Sequence, residues 1–120
     1  MKTIGVLSSS SAVSRQALSE GVAYWKQQGY AVEESAFLYG KKRFVAGSDE
    51  ERLADLHAFF SNDAVDLIVE AGGGYGSSRL LRQIDYDLIA RHKKPLFGLS
   101  DTTALQLALL AKSGLPSFTG

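Results

Sequence analysis

Pro95-Leu-Phe-Gly-Leu-Ser-Asp-Thr-Thr-Ala-Leu105 is a short apolar run that breaks at Gly98 and resumes as a helical pattern. Such a break marks a strand that turns into a helix. Upstream, Asp66-Leu-Ile-Val-Glu-Ala71 is a second apolar run, ending in the turn Gly72-Gly-Gly-Tyr-Gly-Ser-Ser-Arg79. The first run, Thr3-Ile-Gly-Val-Leu7, ends in Ser8-Ser-Ser-Ser11. Between these strands lie helical stretches. Residues from about 14 to 28 put Leu18, Val22 and Trp25 on one face, with Gly29 at the C′ position. Tyr30 to Glu34 reads as a strand. Ser48-Asp-Glu-Glu51 is a capping box opening a helix that buries Leu53, Leu56 and Phe60 and stops at Ser61-Asn-Asp63. Asp85 to Arg91 reads as a short helix. Asp101 to Lys112 is a helix apolar on nearly every side, which predicts burial. The segment from Phe37 to Gly47 has no periodic signal.

Strands separated by helices pair in parallel through right-handed crossovers. The expected fold is therefore α/β: a three-layer α/β/α arrangement, Rossmann- or flavodoxin-like, with a mainly parallel sheet and helices on both faces. In such sheets ligands collect beyond the C-terminal strand ends. Three loops fall there: Ser8–Ser11, Gly72–Ser78 and Gly98–Asp101.

Ser100 sits on the strand-to-helix break. A serine there presents its hydroxyl above the sheet while backbone N–H groups of the helix start point at the same spot. The elbow pattern G-x-S-x-G is matched at Gly98 and Ser100, but Thr102 replaces the second glycine. Local pattern alone leaves two readings open, because serine before a helix is commonly an N-cap. The glycine cluster equally reads as a turn needing positive φ. Tyr75 either lines the site or covers the sheet edge. Arg79 either anchors a carboxylate or pairs with an acid such as Asp85. His57, in an amphipathic helix, and His92, in a charged loop, have surface or boundary readings.

With 120 residues the chain fits one domain, residues 1–120. Thirteen basic and thirteen acidic side chains cancel, so no charge excess draws in nucleic acid or anionic lipid. Zero cysteines exclude disulfides and thiolate chemistry, and two distant histidines argue against a metal site. The apolar core of the N-terminus is too short for a signal peptide, and no run spans a bilayer, so a cytoplasmic location is expected.

Gly73-Gly-Tyr-Gly-Ser-Ser-Arg-Leu-Leu81, Ile84-Asp-Tyr-Asp-Leu-Ile89 and Gly98-Leu-Ser-Asp-Thr-Thr-Ala-Leu105 together resemble the LD-carboxypeptidases of the serine peptidase class. The likeness extends to Arg43-Phe-Val-Ala-Gly-Ser-Asp-Glu-Glu-Arg-Leu-Ala-Asp-Leu56 and Ser113-Gly-Leu-Pro-Ser-Phe-Thr-Gly120. Three positions depart from it: Gly72 stands where arginine is usual, Arg82 where proline is common and Thr119 where histidine is common.

The resemblance implies a serine carboxypeptidase that releases terminal D-alanine from murein tetrapeptides, with Ser100 as nucleophile and no cofactor or metal. The N–H groups of Gly74 and Asp101 would form the oxyanion hole, and Gly73 and Tyr75 would bind substrate. The family's glutamate and histidine would come from a C-terminal domain beyond Gly120, which leaves the 120 residues alone inactive. A homodimer is expected, as is exposed apolar surface at Leu115 and Phe118. The alternatives are a microcin C-type immunity peptidase of the same family and a non-catalytic nucleotide- or phosphate-binding module. Against the module, the dinucleotide fingerprint would need glycine at Ser77.

Overall fold

A computed structural model describes residues 1–120. Five strands form one sheet: β1 (Thr3–Leu7), β2 (Ala31–Glu34), β3 (Leu67–Glu70), β4 (Leu96–Gly98) and β5 (Phe118–Thr119). Their order is β2-β1-β3-β4-β5, and every pairing is parallel. Four helices connect them: α1 (Arg15–Gln27), α2 (Asp49–Ser61), α3 (Tyr86–Arg91) and α4 (Thr103–Ser113). The expected α/β fold with a parallel sheet is what the chain adopts. None of the helices is long and apolar enough to cross a membrane.

The two-residue period of the strands divides the core. Leu7, Ile68 and Leu96 point to one face, where Leu56, Phe59 and Phe60 of α2, Ile89 of α3 and Leu105 and Leu109 of α4 close over them. Ile4 and Val6 point to the other face, where Leu18 and Trp25 of α1 pack beside Leu67 and Val69. Two helix starts are capped by side chains, the first of them the capping box that the sequence indicates. The Ser48 hydroxyl accepts from the Glu51 N–H while the Glu51 carboxylate accepts from the Ser48 N–H, and Asp85 accepts from the Leu88 N–H to open α3.

Three expectations need correction. Helix α4 is not buried all round: Leu105 and Leu109 are fully enclosed, but Leu107 is 61% and Leu110 51% exposed. It lies in an outer layer, packed toward the sheet and against α3, and none of these 120 residues covers its remaining side. Leu115 is buried in the main core, while its neighbour Phe118 is exposed and stacks on Phe97 at 4.8 Å between ring centroids. Those two rings belong to paired positions on β4 and β5, on the face that α1 covers only nearer β1. Arg79 pairs with Asp49, not Asp85, because the Gly72–Ser78 turn carries it over the start of α2.

The segment from Phe37 to Gly47 is also more ordered than its composition suggests. Lys42 and Val45 exchange backbone hydrogen bonds of 3.0 and 3.1 Å around an Arg43-Phe44 tip. Backbone bonds from the Ala12 N–H to the Phe44 carbonyl and from the Ala46 N–H to the Ser10 carbonyl stitch this hairpin to the loop after β1.

Candidate active site

The loops after β1, β3 and β4 meet beyond the C-terminal ends of the strands, as parallel sheets of this kind arrange their ligand crevices. Leu99 is extended, and Ser100 then takes φ +52°, a left-handed conformation unfavourable for a residue with a Cβ. The turn is held by Thr102, whose hydroxyl donates to the Leu99 carbonyl at 2.8 Å and accepts from the Leu99 N–H at 2.7 Å. Thr102 thus supplies the local hydrogen bonding. The Ser100 side chain caps no helix and is exposed.

Gly73 abuts this serine. A Cβ at Gly73 would stand 2.8 Å from the Ser100 Cβ and 3.3 Å from its Oγ. The next residue, Gly74, has φ +100° and curls the chain around Ser11, whose side chain would collide with any Cβ there. Ser11 is the turn's internal anchor. Its N–H donates to the Gly73 carbonyl at 3.1 Å, and its hydroxyl accepts from the Tyr75 N–H at 3.0 Å. The N–H groups of Gly72, Gly73 and Gly74 donate to nothing within the chain. They form a run of free donors beside the serine, a suitable lining for developing negative charge.

Asp101 ties the three loops together. Its carboxylate accepts from the Ser10 hydroxyl at 2.7 Å and from the Ser77 N–H at 3.0 Å, and its carbonyl accepts from the Ser77 hydroxyl at 2.7 Å. Partial burial pushes this carboxyl up, but the Ser77 and Ser10 donors and the Arg52 charge outweigh it and hold it below the usual carboxylate range.

Two further charged groups lie beneath the loops, and sequence reading did not single them out. Arg52, on α2, is 1% exposed and donates to the carbonyls of Ser9 at 2.8 Å and Gly76 at 2.7 Å, while its other terminal nitrogen binds Asp49. Glu70 ends β3 with its side chain buried, accepting from the Ser9 N–H at 3.0 Å and the Ser9 hydroxyl at 2.5 Å. Burial pushes its carboxyl up to about 7 against the pull of the Ser9 donors. Neither interrupts the local pattern: Arg52 is one of several charges on α2, and Glu70 is the single charge of β3 but stands at the strand's end.

The structure therefore brings together Ser100, Gly73, Gly74, Tyr75 and Asp101. It leaves the histidines out. His57 Nε2 accepts from the Asp85 N–H at 3.0 Å, and burial pushes its imidazole pKa down. His92 lies 3.9 Å from Asp63 at the opposite chain segment, before β4.

The chain is similar to known proteins along nearly its whole length. Residues 4–120 match the family described as the LD-carboxypeptidase N-terminal domain. A protein named "Probable murein peptide carboxypeptidase" from Bacillus subtilis is 36% identical over 118 residues, covering 98% of this chain and 37% of its own length. Among solved structures, an MccF-like protein from Bacillus anthracis superposes with a TM-score of 0.94 at 35% identity, covering 99% of this chain and 37% of that one. A muramoyltetrapeptide carboxypeptidase from Oxalobacter formigenes gives 0.88 at 31% identity, covering 99% and 40%. The chain thus spans well under half the length of the relatives it matches. Within that span the match is continuous, and the chain belongs to the LD-carboxypeptidase family.

Proposed function

We propose that this chain is the nucleophile-bearing part of a serine carboxypeptidase that cleaves an amide joining an L-centre to a terminal D-amino acid. Ser100 Oγ attacks the amide carbonyl and its proton passes to a base; the tetrahedral oxyanion collapses as the D-amino acid amine leaves with that proton, and water hydrolyses the acyl-serine. The free N–H of Gly74 and that of Asp101, one residue after the nucleophile, receive the oxyanion. The base and the carboxylate that orients it come from residues beyond Gly120, because the His57 lone pair is occupied by Asp85 and His92 sits beside Asp63. The 120 residues alone are accordingly a folded but inactive hydrolase part.

The observation that carries this reading is Ser100 at φ +52° with its hydroxyl uncommitted. An unfavourable backbone at a side chain with no structural task points to function. Murein tetrapeptide is the substrate we favour, since relatives of comparable similarity carry murein-peptide names. A peptide-nucleotide substrate is the second reading, supported by the similarity to the MccF-like protein. In the full-length protein, Ser100→Ala should lower D-alanine release from a murein tetrapeptide by several orders of magnitude, leaving at most the roughly 10³–10⁴-fold advantage over water that binding and the oxyanion hole provide. Turnover near the wild-type rate would refute the assignment.

A further inference from the structure

Arg43 and Ser100 are the only non-glycine residues of this chain with positive φ, at +57° and +52°. Ser100 abuts the glycine turn at Gly73, and the hairpin tip that Arg43 opens reaches the same turn at Tyr75. Arg43 occupies the first tip position of the two-residue Lys42–Val45 hairpin, where a two-residue turn with positive φ at that position ordinarily takes glycine. A folded chain retains such a conformation at an arginine only where surrounding contacts enforce it, and these outliers gather at ligand clamps.

The contacts that enforce it lead to the active-site loop. Phe44, the second tip residue, packs edge-on against Tyr75 with ring centroids 5.6 Å apart. Tyr75 in turn follows directly on Gly73-Gly74 and has its N–H fixed by Ser11. Hairpin tip, Tyr75 and the start of α2 enclose an open cavity of about 470 Å³. Three cations line it: Lys42, Arg43 and Arg79. Arg79 is committed, since its Nε and Nη2 donate to the two Asp49 oxygens at 3.0 and 3.2 Å. Asp49 is thereby held below the usual carboxylate range and remains ionised. Glu50 is the other acid on the rim. Neither Lys42 nor Arg43 forms an ion pair. Lys42 lies near enough to Asp49 for its charge to help hold that carboxyl down, which leaves Arg43 as the uncommitted cation beside two half-exposed aromatic rings.

We infer that the Arg43-Phe44 tip and Tyr75 form a substrate subsite that binds an anionic group, carboxylate or phosphate, on a part of the substrate away from the scissile amide. Arg43 supplies the charge-assisted hydrogen bonds, and the two rings cover the adjoining apolar segment. The inference rests on the hydrolase reading only for the identity of the ligand, because the cavity and the free Arg43 cation exist whatever Ser100 does. A remote contact of this kind acts in ground state and transition state alike, so it governs binding more than the chemical step.

The test measures ligand affinity by calorimetry in the full-length protein carrying Ser100→Ala, so that no turnover intervenes, with and without Arg43→Gly. Three ligands are used: a murein tetrapeptide ending in D-alanine, the same peptide with its side-chain carboxylates amidated, and a peptide-nucleotide bearing a phosphate. Arg43→Gly should weaken binding of an anionic ligand by roughly tenfold or more, the scale of one hydrogen bond to a charged group, and leave the amidated peptide unchanged. Whether the carboxylate or the phosphate ligand suffers more identifies the source of the anion. The glycine variant should melt at or above the parent temperature, since it relieves the left-handed backbone; Arg43→Asn, which also tolerates that backbone, serves as a second variant. Equal weakening of charged and amidated ligands, unchanged affinity for all three, or no binding by the parent each overturns the inference. Arg43-dependent binding without any D-alanine release by the unmutated protein would instead refute the hydrolase reading and leave the subsite standing.

Discussion

Replacing Gly73 by alanine isolates the contact between the glycine turn and the nucleophile. The backbone at Gly73 is not left-handed, so alanine introduces no conformational penalty there. What it introduces is a methyl group 2.8 Å from the Ser100 Cβ, 3.3 Å from its Oγ and 3.4 Å from the Leu99 carbonyl. Carbon atoms rest at about 3.5–4.0 Å, so relief demands a separation of roughly 0.7 Å or more. Neither side yields readily: the elbow is pinned by Thr102 on Leu99 and by Asp101 on Ser10 and Ser77, and the turn is pinned by Ser11. Overpacking of this size destabilises by about 1–3 kcal/mol. Displacing a catalytic atom by about 1 Å lowers turnover on the order of 10²-fold. The assays are thermal unfolding and D-alanine release in the full-length protein. Gly72→Ala is the control, because its Cβ would meet only the Val13 Cγ1, at an ordinary 3.6 Å. If Gly73→Ala and Gly72→Ala both melt and turn over like the parent, the two loops are not in the register described and the site geometry is wrong.

Two further substitutions test the energetics beneath the site. Ser100→Gly should abolish turnover yet raise stability by about 1 kcal/mol, since it removes the left-handed strain at φ +52° without deleting any structural hydrogen bond; a lower melting temperature would show that the serine has a structural task. Glu70→Gln should flatten the pH dependence of stability. The Glu70 carboxyl lies near 7 in the folded chain against 4.5 when unperturbed, so the native state binds the proton more tightly, and the stability it contributes is complete below about 4.5 and lost as pH rises through 7. The span corresponds to about 3 kcal/mol at most. Unfolding measured from pH 5 to 8 that falls equally for parent and variant would refute this.

The architecture was legible because its signals are local and mutually consistent. Apolar runs such as Thr3–Leu7 and Leu67–Glu70, the Ser48–Glu51 capping box and the glycine at position 29 each specify an element or its end without reference to the rest of the chain. Ser100 and the glycine turn were legible for the same reason, a strand breaking into a turn. What stayed hidden depends on juxtaposition. The two-residue β5 is too short to show a period. The pairing of Arg79 with Asp49 crosses 30 positions and follows only from where the turn carries the side chain. The all-apolar look of α4 misled because composition does not say whether a layer lies outside it; within these 120 residues none covers Leu107 and Leu110. Arg43 gave no signal at all, because a positive φ leaves no mark in the sequence and the Lys42–Val45 pairing that defines its turn is seen only in the fold.

The buried charges explain why the three loops can hold a strained serine at all. Loops beyond strand ends lack a ladder, and their inward carbonyls need donors, because an unpaired buried carbonyl is costly. Arg52 meets that need for Ser9 and Gly76 together, from a helix that is itself anchored in the apolar core by Leu53, Leu56, Phe59 and Phe60. Glu70 meets the complementary need for the Ser9 N–H and hydroxyl from the end of a central strand. The loops after β1 and β3 are thus fixed by rigid elements on both sides. The serine loop is joined to that frame chiefly through Asp101, whose carboxylate and carbonyl reach Ser10 and Ser77. Position of the nucleophile is consequently set one residue away from it, by a side chain that need not touch substrate, while the Ser100 hydroxyl stays free for chemistry.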